Sequence, residues 1–279
     1  MATDEEERVA FDEDDGGGGG FFGDLFLNEE YQPFTFYFGK PDVVGEDGQV
    51  VETAKEERLT ETLLASKQCC TDWDLTGQIV WPAAFQLSYF MHNPKYTPLF
   101  KGKRVLELGS GAGLSGFVAA KYAKDVVLTD GNEIVMRLLN RNVDFVKTAS
   151  PQSCPATATR LFWGEEASVK ELVEAHGVPE VLCGADIIMW PNYTLTLMQT
   201  IAFFFAYNPA MEAYVSYVVR AHSTTRLLYS CAEECGLAVD VITPDQFLPP
   251  EDWQPKSLLQ VDECNRYVLK IFKKRAEDV

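Results

Sequence analysis

Residues 104 to 116 read Arg-Val-Leu-Glu-Leu-Gly-Ser-Gly-Ala-Gly-Leu-Ser-Gly, an apolar run that breaks into clustered glycines and then into a helix-like pattern. An aliphatic stretch such as Val105 to Leu108 has the make-up of a buried parallel strand, and the glycines after it let the backbone turn sharply and approach a ligand closely. Glycines present only for tight strand–helix packing are the alternative reading of that junction. Gly109, Gly111 and Gly113 make a G-x-G-x-G turn preceded by Glu107, while Gly111, Gly113 and Gly116 also satisfy G-x-G-x-x-G, the dinucleotide fingerprint. The loop alone leaves both parses open. Each expects an acid at the end of the next strand, and Asp130 closes Asp-Val-Val-Leu-Thr-Asp at the spacing a ribose acceptor needs.

From Lys103 onward short apolar runs alternate with amphipathic segments, the signature of repeated β–α units. The pattern predicts strands at 104–108, 126–130, 158–162, 184–189, 212–219, 238–243 and 266–272, with helices at 113–123, 133–147, 167–176, 194–206 and 223–235. Pro244, Pro249, Pro250 and Pro255 leave no room for a helix before the last strand, so the final two strands are expected to pair antiparallel across a long loop. Upstream, Gln32 to Phe38 alternates as a strand that could pair with Gln49 to Thr53, Glu56 to Lys67 has helix-forming composition, and Pro82 to Met91 reads as a helix with proline in its first turn. Residues 1–20, acidic and ending in five glycines, are expected to be a disordered tail. The division expected is thus 1–20 tail, 21–100 β extension and helices packed on the core, and 101–279 core.

The net charge of −18 makes a long basic track for a phosphate backbone an unlikely design, so no nucleic-acid partner is expected. Residues 1–20 hold eight acids and one arginine; the remainder is still acidic, which serves solubility or attracts basic protein segments. No apolar run of about 18 residues points to a membrane span. Seven cysteines without a C-x-x-C pair fit reduced thiols in the cytoplasm or nucleus better than disulfides, and with three histidines no metal site is expected.

In an open α/β sheet the ligand lies beyond the carboxyl ends of the strands, where strand order reverses. The residues leaving those ends are Gly109, Ser110 and Gly111, then Asp130 with Gly131 and Asn132, Trp163 and Gly164, Asp186 to Trp190, and Arg220 to His222. Glycine amides and the helix start could receive an anion. Asp130 is either an acceptor for two sugar hydroxyls or a turn carboxylate, and Trp163 either walls a flat slot or packs in the core. Asp186 either orients a substrate or caps the strand end, and His222 either touches substrate or is incidental.

Gly77-Gln78-Ile79-Val80-Trp81-Pro82-Ala83-Ala84, Val105 to Gly113, Asp130, Asn140 with Asn142, Leu161-Phe162-Trp163-Gly164 and Gly184-Ala185-Asp186 together resemble the class I seven-β-strand protein methyltransferases, a family that includes protein lysine methyltransferases and members labelled nicotinamide N-methyltransferase-like. The resemblance covers roughly 76–272. It implies a Rossmann-like sheet with an antiparallel seventh strand, S-adenosylmethionine as cofactor, and methylation of a protein side chain, with lysine first; a monomer is expected. It also implies that Trp81 closes over the cofactor, that Glu107, Gly109, Ser110, Gly111 and Gly113 line it, that Asp130 with Gly131 and Asn132 meets the ribose, and that Trp163 with Gly164 packs by adenine. Trp81 could equally be a core anchor, and Asn142 either orders the crevice or serves its helix. Asp186 corresponds to the acid of an acid-x-x-aromatic motif that faces the target amine. Here the aromatic is replaced by Met189, leaving Trp190 and Tyr193 as the nearest π faces. A small-molecule N-methyltransferase and a catalytically silent cofactor-binding protein are the alternatives.

Overall fold

The glycine junction does sit at the centre of an open sheet. In the computed structural model, residues 30–44, 50–52, 58–67, 73–151 and 153–274 are described. Among the described residues the first elements are β1 (Gln32–Phe38), β2 (Val43–Val44), β3 (Val50–Glu52) and β4 (Leu59–Ala65), followed by α1 (Pro82–His92) and a short α2 (Thr97–Phe100). Then come β5 (Arg104–Leu108), α3 (Leu114–Ala119), β6 (Asp125–Asp130), α4 (Glu133–Ala149), β7 (Ala156–Arg160), α5 (Glu166–His176), β8 (Val181–Ala185), α6 (Pro191–Tyr207), β9 (Glu212–Val218), α7 (His222–Glu234), β10 (Leu237–Ile242), α8 (Lys256–Leu259) and β11 (Arg266–Lys273).

The main sheet has the order β10-β11-β9-β8-β5-β6-β7. Six strands run one way, and β11 runs against both β9 and β10. The antiparallel final strand is therefore as expected from the proline-rich gap before it. Because β5 pairs with β6 on one side and β8 on the other, strand order reverses between β5 and β8, and the crevice opens there. Apolar side chains alternate between the sheet's two faces: Val105 and Leu128 join the core under α1, α3 and α4, while Leu106, Leu108 and Val127 join that under α5, α6 and α7. Residues Tyr31–Val279 form one compact unit, and no described helix is long and apolar enough to cross a membrane.

Four expectations are corrected. The segment 56–67 is not a helix: Leu59–Ala65 is a strand and pairs with β1 in the register Phe34 to Leu63. Its inward positions are Glu61, Leu63 and Ala65, so a charged residue at a buried site breaks the apolar alternation that would have marked a strand. Lys121 lies 3.0 Å from the Glu61 carboxylate, whose pKa burial pushes up against that cation's pull. Second, residues 50–52 pair with β2 and not with β1. Third, the strand expected at 184–189 is Val181–Ala185, ended by Asp186 at φ +61°. Fourth, α3 stops at Ala119 and not at 123. The expected 1–20 tail lies outside the described residues.

Candidate active site

Gly109, Gly111 and Gly113 have φ of +59°, +54° and +93°. At Gly111 a β-carbon would stand 2.8 Å from the Gly77 carbonyl oxygen, and at Gly109 one would stand 2.7 Å from Ile187 and 3.2 Å from the Trp163 ring. Left-handed backbone and close neighbours together require glycine at both places. Three of the turn's amides are engaged and so not open to the anion that the sequence allowed at the glycine amides: Ser110 N–H donates to Thr129 O at 2.8 Å, Gly111 N–H to Asp130 Oδ2 at 3.2 Å, and Gly113 N–H to Ser110 O at 2.8 Å. These donors are spent on neighbouring backbone and on Asp130.

Asp130 ends β6 and also accepts from the Asn132 amide at 3.0 Å. Each oxygen thus holds one backbone donor and keeps lone pairs for others. Burial pushes the Asp130 pKa up, with the Asn132, Gly111 and Gly131 amides opposing. The Asn132 side-chain oxygen caps α4, accepting from Ile134 N–H at 2.8 Å and Val135 N–H at 3.1 Å. Glu107 is 1% exposed. Burial lifts its pKa to about 7, against Ser115, Ser110 and Gly116 and aided by the neighbouring charge of Asp130. Its Oε2 is buried and has no hydrogen-bond partner among the described residues.

Trp163 leans over Gly109, and the Gly164 amide, at φ +84°, donates to Thr200 Oγ1 on α6 at 2.8 Å. Asn142 is fully buried and spends all of its polar atoms: Oδ1 accepts from Leu64 N–H at 2.7 Å, and Nδ2 donates to Leu64 O at 2.9 Å and Ala112 O at 2.8 Å. It ties β4 to the middle of the glycine turn. Asn140, its companion in sequence, is exposed and bonds back to Met136 O on its own helix.

Across the crevice, Asp186 is the only non-glycine at positive φ among the described residues. Its amide donates to Ser216 O at 3.0 Å, and its carboxylate receives both arms of the Arg220 guanidinium at 2.5 and 2.6 Å. That guanidinium lies 5.4 Å from the centre of the Trp81 ring. Trp81 precedes Pro82 at the start of α1, and its Nε1 donates to Thr76 O at 2.9 Å. Trp190 and Tyr193 stand at the head of α6, 41% and 39% exposed. His222 lines a separate cleft of about 330 Å³ with Tyr217, Thr225, Tyr229 and Tyr267. Sequence reasoning placed Arg220 at a strand end without a role, because an ion pair between residues 34 positions apart has no local signal. It missed Gln86 altogether. This buried side chain donates to Ser216 Oγ at 3.0 Å and Tyr267 O at 2.7 Å, fixing α1 to β9 and β11.

A sheet whose order reverses beside a glycine turn, with an acid ending the next strand and an antiparallel strand inserted second from the edge, has the class I methyltransferase architecture. More particularly, the chain belongs to the lysine methyltransferase family, whose model matches residues 61–233. It is 32% identical over 143 residues to a calmodulin-lysine N-methyltransferase of Arabidopsis thaliana, covering 50% of this chain and 45% of that protein. Over 132 residues it is 34% identical to the protein N-lysine methyltransferase METTL21A of Danio rerio, 47% of this chain and 57% of the relative. It is also 28% identical over 162 residues to the histone-arginine methyltransferase METTL23 of Mus musculus, 57% of this chain and 60% of the relative. The chain spans about half the length of the curated relatives it matches.

The family implies S-adenosylmethionine as methyl donor, and the residues present fit it. Asp130 has lone pairs for a ribose, the Trp163 ring at Gly109 offers a flat wall, and the orphaned Glu107 oxygen with Asp130 makes the β5–β6 side favourable to a cation.

Proposed function

We propose that this protein is an S-adenosylmethionine-dependent protein N-methyltransferase with lysine as acceptor. The observation that carries the reading is the pairing, across one crevice, of a glycine turn backed by Asp130 and Glu107 with a buried carboxylate, Asp186, on the facing strand end. Glu107, Gly109, Ser110, Gly111, Gly113, Asp130, Gly131, Trp163, Gly164 and Trp81 hold the cofactor, and the Asn132 side chain serves by capping α4 below it. A sulfonium cofactor held there would supply an activated methyl group to a neutral amine, its sulfur keeping the electron pair of the S–C bond; the one proton released is the one the amine gives up to water beforehand, and the product remains a methylammonium. Asp186 accepts a hydrogen bond from the amine and orients it, and Trp190 and Tyr193 line its approach with aromatic surface. We assign residues 21–100 to an extension and 101–279 to the catalytic core. The partner is a protein with a basic segment drawn by the acidic chain, and the enzyme acts as a monomer. The five unbridged cysteines among the described residues suit the cytoplasm or nucleus.

Purified protein incubated with tritiated S-adenosylmethionine and cell extract should label a protein band, with methyl-lysine identified by mass spectrometry and lost in Asp186→Ala. Label confined to small molecules would move the acceptor to a metabolite, methyl-arginine would move it to the chemistry named for the mouse relative, and cofactor binding with no labelling at all would make the protein a silent binder.

A further inference from the structure

The acid that faces the crevice from β8 is already occupied. Arg220 binds both Asp186 oxygens, at 2.5 and 2.6 Å, with the acid side chain 3% exposed and the arginine 35% exposed. Resting on the reading of this site as an amine methyltransferase, we propose that Arg220 is a positioning and specificity-determining residue that selects the neutral form of the acceptor amine. A carboxylate alone beside a lysine would raise the amine pKa by about 1–3 units, holding it as an ammonium with no lone pair to attack. The Asp186–Arg220 ion pair presents no net charge to the substrate. Two of the roughly four lone-pair positions of a carboxylate are consumed by a bidentate fork, so others remain to accept from an amine N–H. The pair therefore orients nitrogen without gripping an ammonium, and the proton leaves to bulk water before attack.

The arrangement is held from three sides. Arg220 follows β9, and the Asp186 amide is pinned to Ser216 O on that same strand, which keeps Asp186 at its left-handed φ and aims its carboxylate across the strand ends. Trp81, from the start of α1, lies under the guanidinium. The hydrogen bond to Asp186 raises the Arg220 pKa, so the cation is permanent. Of the other groups packed around the pair, Tyr217 on β9 has its phenol pushed up by burial, is bonded to Thr225 of α7 at 2.9 Å and stays neutral. α1 contributes Trp81 and Gln86, neither of them ionisable. His222 and Tyr193 stand at the heads of α7 and α6.

The test is the pH dependence of initial labelling rates at saturating concentrations of the purified protein that the wild type labels in extract, over about pH 8 to 11.5, a range that brackets the ordinary lysine pKa of about 10.4. Arg220→Met should move the kcat profile, which reports the amine as it ionises in the enzyme–substrate complex, alkaline by about one unit, a roughly tenfold loss near pH 8 that narrows to about twofold by pH 11.5. Arg220→Lys should keep the wild-type midpoint, and Asp186→Asn, which leaves the cation without its acid, should move the midpoint the other way. Thermal melts and calorimetry with S-adenosylhomocysteine accompany each variant, and the Arg220→Met affinity should stay within about threefold of wild type. A rate loss equal at every pH would mean a merely structural role and overturn the proposal. A matching loss of S-adenosylhomocysteine binding would make Arg220 a cofactor ligand and do the same. Should Arg220→Met fail to fold, an Asp186→Asn profile without an acid shift overturns it alone. A wild type that labels no protein defeats the methyltransferase reading itself, whereas a labelled band with unshifted profiles defeats only this inference.

Discussion

On the β5–β6 side of the crevice the polar groups are held by backbone close by: Asp130 by the amides of Gly111 and Asn132, and Ser110 by the carbonyl and amide of Thr129. On the β8–β9 side they are held by side chains from distant segments, with Asp186 on Arg220, Arg220 over Trp81, and Gln86 bridging to Ser216. Support by nearby backbone is what a cradle for one invariant ligand would need. The second side is a side-chain network that substitution could retune for different acceptors without disturbing the cradle, which is how one fold serves many substrates.

The comparison breaks most cleanly at Gly111. Gly111→Val would force a β-branched residue to φ +54° with its β-carbon 2.8 Å from a carbonyl oxygen, and S-adenosylhomocysteine affinity measured by calorimetry should fall by more than about 100-fold. Gly102→Ala is the control, because φ there is +72° with no described residue within 4 Å of the added carbon; binding should be unchanged. Asp186→Ala, on the other side, should leave that affinity within about threefold while abolishing methyl transfer. If the glycine variant still binds, or the aspartate variant does not, the two sides are not separable.

The same contrast explains what could be read in advance. The glycine turn, the acid ending β6 and the antiparallel end of the sheet were legible because each is a local pattern: alternating glycines, an apolar run with a terminal acid, prolines that forbid a helix. β4 was not, since Glu61 occupies an inward position and finds its partner, Lys121, 60 residues away in sequence. The end of β8 was misplaced for a related reason. Ile187 and Ile188 are buried and apolar like strand residues, yet the chain has already turned at Asp186, whose conformation is set by β9. Asn142 could be picked out but not given its job, because its three bonds run to a strand and a loop that sequence does not place beside it.

Asn142 sharpens the comparison by asking whether the β1–β4 ribbon belongs to the cradle. Asn142→Ala leaves the Leu64 N–H and the Leu64 and Ala112 carbonyls buried without that partner, and unfolding should be easier by about 2–3 kcal/mol in denaturant titrations. Because Ala112 sits between Gly111 and Gly113, S-adenosylhomocysteine affinity should weaken as well, by about tenfold. Lost stability with unaltered affinity would make the ribbon a support for the fold alone.

The smallest effect tests the charge of the cradle. The Glu107 pKa lies at about 7, above its ordinary 4.5, so the folded state binds this proton more tightly than the unfolded chain does. Stability from this group is therefore fully present below about pH 4.5 and is lost progressively as pH rises to about 7, by a few kcal/mol in all. Glu107→Gln should flatten that part of the stability profile. A cation bound beside Glu107 favours its ionised form, so S-adenosylmethionine should bind up to about tenfold tighter at pH 8 than at pH 6 and expel about half a proton at pH 7. Calorimetry in buffers of different ionisation enthalpy reads that proton directly. In Glu107→Gln the release should vanish and the affinity should no longer climb with pH; a release that persists in the variant would assign the proton to another group, with Asp130, also raised by burial, the next to test.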